Sequence, residues 1–142
     1  MARFLKGLML VMGIACVAIG AFHFVLGIGS VPGEGGTGAT VDSRERFYGA
    51  TFLGYGLLWV WAARQSPISA KVVRWLAGIF LLGAAGRVLS LIVYGQPQWF
   101  QLVLTVVELV LPPVFFWLST ADEKAAALLP GTGATPMPRP TS

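Results

Sequence analysis

A chain of 142 residues that is 56% hydrophobic and only 11% charged, with a mean hydropathy of +0.74, is not an ordinary soluble domain, in which about a quarter of residues are charged. Its one cysteine, Cys16, excludes an internal disulfide, a Cys-x-x-Cys redox pair and a thiolate zinc site. The net charge of +4 is small and spread along the chain, so it reads as an orientation signal and no nucleic-acid partner is expected.

Four apolar runs follow one another: residues 7–28, 47–63, 72–94 and 99–119. A bilayer takes roughly 20 residues of helix, with a lower limit near 17. The second run is the shortest, and its helix is expected to extend back to residue 43. The expected fold class is all-α: a polytopic membrane protein with a four-transmembrane-helix bundle. Its domain would cover residues 1–120, with spans near 7–28, 43–63, 72–94 and 99–119. The first run is too long for a secretory signal core of roughly 7–15 residues. The apolar stretch before Cys16 in "GIAC" is too short for a lipoprotein cleavage site. The first helix is therefore read as mature.

Between the first two runs lies "GSVPGEGGTGATVDSRER", residues 29–46, glycine-rich and expected to be irregular. It closes on Asp42 and Glu45 at capping-box spacing, which predicts a helix starting just after Asp42. The loop "RQSPISAK" is short, so the second and third helices are expected to be antiparallel neighbours. "GQPQ", residues 95–98, ties the third to the fourth. Residues 121–142, with four prolines in "PGTGATPMPRPTS", are expected to be a disordered cytoplasmic tail.

Lysine and arginine in the loops set orientation. Arg3, Lys6, Arg64, Lys71, Arg74, Lys124 and Arg139 fall on one side, and Arg44 and Arg46 on the other. This distribution predicts a multi-pass cell-membrane protein with both termini in the cytoplasm. Aromatic residues mark the boundaries: Phe47, Tyr48, Tyr94, Trp99 and Phe100 at the outer face, and Trp59, Trp61, Trp75 and Trp117 at the inner one.

Two full charges lie deep in the spans, away from their ends: Arg87 in the third helix and Glu108 in the fourth. At about 1.5 Å of rise per residue, they lie roughly 10 and 13 Å below the outer boundary, and His23 roughly 8 Å. Tyr55 should reach a similar depth. Residues three and four apart share a face, which makes rows of Gln101, Thr105, Glu108 and Pro112; of Gly83, Arg87, Ser90 and Tyr94; and of Gly13, Cys16, Gly20, His23 and Gly27. Small faces allow membrane helices to approach and polar groups bond across them, so all three rows are expected to turn to a common axis. A guanidinium cannot lose its proton and needs an acceptor. Arg87 and Glu108 are therefore expected to pair, directly or through water or Tyr55. The pair either only fixes helix register or lies in an outward-facing cavity that binds a polar or anionic head group. One His and one Glu leave too few ligands for a metal site, and no cofactor is expected. Pro112 and Pro113 should disturb the fourth helix just below Glu108.

An acid and Arg46 opening the second helix, then "RFYGATFLGYGLL", "GRVLSLIVYGQP" and a glutamate in the fourth helix form an ordered pattern. It resembles a bacterial domain-of-unknown-function family of small four-helix membrane proteins, loosely similar in architecture to DoxX-like proteins. The resemblance covers roughly residues 5–120 and rests on Asp42, Arg46, Gly49, Arg87, Ser90, Gly95, Pro97 and Glu108. It implies a fold, a bacterial inner-membrane setting and a polar cluster, but no substrate.

Three functions compete. The first is a binding or accessory module whose cluster of Arg87, Glu108, His23, Arg46, Tyr55, Asp42 and Ser90 meets membrane lipid, a lipid-like or quinone-like ligand or a partner membrane protein. The second is an oligomeric small transporter or channel; small multidrug exporters, however, carry their key glutamate in the first helix, where this chain has none. The third is an intramembrane enzyme, for which His23 and Glu108 lack a nucleophile or metal set. The expectation is a non-enzymatic binding module, with homo-oligomers left open.

Overall fold

The computed structural model describes residues 2–30, 38–97 and 99–128. Four helices follow in order: α1 (Ala2–Leu26), α2 (Ala39–Arg64), α3 (Ala70–Tyr94) and α4 (Trp99–Ala127), with a 3-10 turn at Gly27–Ser30. Among the described residues there is no strand. By length and apolar composition α1 with its turn, α3 and α4 are each able to cross a membrane, which makes this a helical membrane protein. The end of the bundle holding Ser30, Gly38 and Gly95 is called upper below, and the end holding the 65–69 loop lower.

The helices associate as two antiparallel pairs, α1 with α2 and α3 with α4. The first pair is built on glycine. Gly13 and Gly20 of α1, and Gly49, Gly56 and Ala63 of α2, recur every seven residues and so share one face of each helix. The two rows meet. A β-carbon at Gly56 would stand 2.6 Å from the Val17 nitrogen and 2.7 Å from the Gly13 carbonyl oxygen. One at Gly20 would stand 2.7 Å from Leu53 Cα and 2.8 Å from the Gly49 oxygen. Only glycine allows backbones this close, the contact that drives helix association where lipid is as apolar as leucine.

The two pairs share a core in the lower half alone. It contains Leu5, Met9 and Cys16 of α1, Tyr55 and Trp59 of α2, Val73 and Phe80 of α3, and Phe115 of α4. Trp59 is fully buried with its ring centroid 4.5 Å from that of Phe115, so it is a core residue and not the boundary aromatic expected from the sequence. The other predicted boundary aromatics are exposed. Above Cys16, Tyr55, Ala84 and Glu108, the buried residues among those described are those of the α1–α2 seam and its turn, plus Thr105.

Several boundaries differ from expectation. Helix α2 begins at Ala39, not after Asp42, and its N-cap is Gly38 with no side-chain cap. Asp42 lies in the first turn, where a carboxylate suits the helix dipole, and its side chain is used elsewhere. Helix α4 runs to Ala127, so 121–127 of the expected disordered tail are helical; the rest of that tail from 129 onward lies outside the described residues, as does 31–37 of the first loop. The added turns are held at the lower end, where Arg74 Nη2 donates to Glu123 Oε2 at 2.6 Å and to Thr120 Oγ1 at 3.2 Å. Helix α3 ends as the sequence implies, on Gly95 at φ 85°, whose N–H bonds the Leu91 carbonyl at 3.0 Å. α4 continues as helix through Pro112 and Pro113.

Candidate functional site

The inward stripe of α4 carries Thr105, Glu108, Pro112, Phe115 and Ser119, all buried. Spacings of three and four keep them on one face. Glu108 is the charged member of that stripe, and Arg87 of α3 meets it. Arg87 Nε donates to Glu108 Oε2 at 2.7 Å, and Arg87 Nη1 donates to Gln101 Oε1. Because a guanidinium has no acceptor, Gln101 must present its carbonyl oxygen to Arg87, which turns its NH₂ away. Thr105 sits between and donates its hydroxyl proton to the Gln101 main-chain oxygen at 2.8 Å. The acid is 8% exposed and the arginine 36%. The cluster caps the shared core: Ala84, one turn below Arg87 on α3, is fully buried.

Prolines complete the layer. Residue 112 has no N–H for the Glu108 carbonyl, and residue 113 none for the Leu109 carbonyl. Both oxygens are freed from the helix ladder, and both point down the helix, away from Arg87 and Gln101.

The α1–α2 corner holds a second cluster. Asp42 accepts the Ile28 N–H at 3.1 Å and the Arg46 Nε–H at 2.8 Å. Arg46 Nη1 donates to the Phe24 and Val25 carbonyls at 3.0 and 2.8 Å. Those carbonyls end α1 and would otherwise lack partners, so α2 caps its neighbour from the side. The Arg46 hydrogen bond and then the Ile28 N–H hold the Asp42 carboxyl below its ordinary value. Gly27, at φ 54°, lets the chain pass directly over Asp42. Ser30, buried, donates to the Gly27 carbonyl at 2.6 Å, and its oxygen lies 2.6 Å from His23 Nδ1.

The seven sequence-predicted residues therefore fall into separate places. Arg87 and Glu108 meet directly. His23, Asp42 and Arg46 gather at the α1–α2 corner. Tyr55 lies in the core stacked on Phe80, with its hydroxyl donating to the Leu76 carbonyl, and does not bridge the ion pair. Ser90 is exposed. The expectation that the row Gly83, Arg87, Ser90 and Tyr94 faces inward is corrected: Gly83, Ser90 and Tyr94 are exposed, and the inward stripe of α3 is Val73, Leu76, Ala77, Phe80 and Ala84. A helix that is apolar all round carries no moment to reveal its face, and only packing chose it. Gln101 was not among the expected site residues, although its seven-residue spacing from Glu108 marks it. Ser30 had no such signal.

These features define an all-helical membrane protein with a half-buried ion pair at the top of a four-helix core. The chain belongs to the family described as a domain of unknown function, DUF4345, which matches residues 4–119. No curated protein and no solved structure matches it.

Proposed function

We propose that the protein is a membrane-embedded binding or accessory module in which the Arg87, Glu108 and Gln101 layer receives the polar head of a lipid-like ligand. The observation that carries this reading is the unequal burial of the ion pair. A pair that only fixed register needs no open side, whereas the cation here keeps 36% of its side chain accessible above a buried acid. Charged groups at membrane depth mark sites by default, and above this layer the two helix pairs do not share a core.

In this reading all four helices span. α2 is the most polar, but its seam matches Gly56 to Gly13 and Gly49 to Gly20 along an apolar α1, so it lies at the same depth. The seven-to-two distribution of loop cations puts both termini in the cytoplasm and Arg87 in the outer leaflet. Cysteines placed at Gly36 and Thr135 in a Cys16→Ser background test this: an impermeant thiol reagent on intact cells is expected to label position 36 alone. Labelling of position 135 alone inverts the topology.

Native mass spectrometry from mild detergent tests the site. Wild type is expected to carry a bound amphiphile that Arg87→Gln has lost. Equal retention by the variant rules out this site.

A further inference from the structure

The accessible part of the Arg87 layer offers hydrogen-bond donors and no net charge. A guanidinium brings a cation and only donors, and the Glu108 carboxylate lies 2.7 Å from the Arg87 Nε. Asp42 and Arg46, the charged pair of the neighbouring corner, are likewise matched at 2.8 Å. The acceptors of the layer, Glu108 and Thr105, are buried. Arg87 keeps 36% of its side chain accessible, and Gln101, half-buried beside it, binds Arg87 through its carbonyl and so has its NH₂ to donate. The carbonyls freed by Pro112 and Pro113 point to the lower end. Large apolar side chains line the same half of α3 and α4, among them Leu89, Ile92, Val103 and Val107, all exposed.

We infer that the ligand of this site is an uncharged carbonyl acceptor carried on an apolar body, and not an anion. An anion would meet a cation already neutralised and a carboxylate beside it, and would leave water to do so. A carbonyl oxygen takes the N–H groups of Arg87 and Gln101 without that cost. A lipid ester and a quinone both present such an oxygen. This inference rests on the binding role proposed above.

The test measures thermal stabilisation of the purified full chain in detergent by dodecyl acetate, 2-decyl-1,4-benzoquinone and dodecyl phosphate. Wild type is expected to respond to one or both carbonyl compounds at about tenfold lower concentration than to the phosphate, a difference of about 1.4 kcal/mol. The stronger of the two separates ester from quinone. Glu108→Gln keeps an acceptor for Arg87 Nε but leaves the cation uncompensated, so its preference is expected to reverse towards dodecyl phosphate. Wild type preferring the phosphate overturns the inference, as does a folded Glu108→Gln with unchanged preference. If Glu108→Gln does not fold, the wild-type ranking alone decides. A wild type that responds to none of the three, or no differently from Arg87→Gln, overturns the binding role itself.

Discussion

Gly20→Val and Gly49→Val are expected to unfold the α1–α2 pair. The added β-carbon at Gly49 would stand 2.9 Å from the Gly20 oxygen and the His23 carbonyl carbon, and that at Gly20 2.7 Å from Leu53 Cα. These are backbone atoms, which cannot rotate aside as a side chain can. Overpacking a core costs typically 1–3 kcal/mol when side chains can adjust; here two helices must separate, and the expected loss is about 4 kcal/mol or more. Gly78→Ala and Gly86→Ala supply the contrast, because neither added carbon has a neighbour within 4 Å. Both lie inside α3 and should gain roughly 0.5–1 kcal/mol from reduced chain freedom. Unfolding in detergent, followed by far-ultraviolet circular dichroism, checks the pair of signs. A Gly20→Val variant as stable as Gly86→Ala would mean that the seam is not packed as described.

Arg87→Leu and Glu108→Leu are each expected to destabilise the chain, by roughly 3–5 kcal/mol as for buried pairs in soluble proteins. The first strands a buried acid. The second strands a cation that cannot shed its proton at the top of an apolar core. The double leucine variant should recover most of the loss, since replacing both partners by apolar groups removes the uncompensated charge. Losses that simply add in the double variant would show that the two groups are not coupled. The recovered double variant also separates stability from binding: it should fold and yet retain no bound amphiphile.

The sequence by itself determined the class of this protein. Four apolar runs and the scarcity of charge require helices that satisfy their own backbone in lipid. The pairing of Arg87 with Glu108 was legible for the same reason, because a guanidinium in an apolar span needs an acceptor and Glu108 is the acid within those spans. The short "GQPQ" turn already made their helices neighbours. Composition and spacing reached no further than single helices and close chain neighbours. Which face of α3 turns inward was undecidable from a sequence apolar on every side, and packing set it so that Ser90 points out. The core position of Trp59, the diversion of Asp42 from cap to crosslink and the separation of the His23, Asp42 and Arg46 corner from Arg87 follow from how α2 docks. That docking is decided by glycines seven residues apart on two helices, whose match appears only when the backbones are laid side by side.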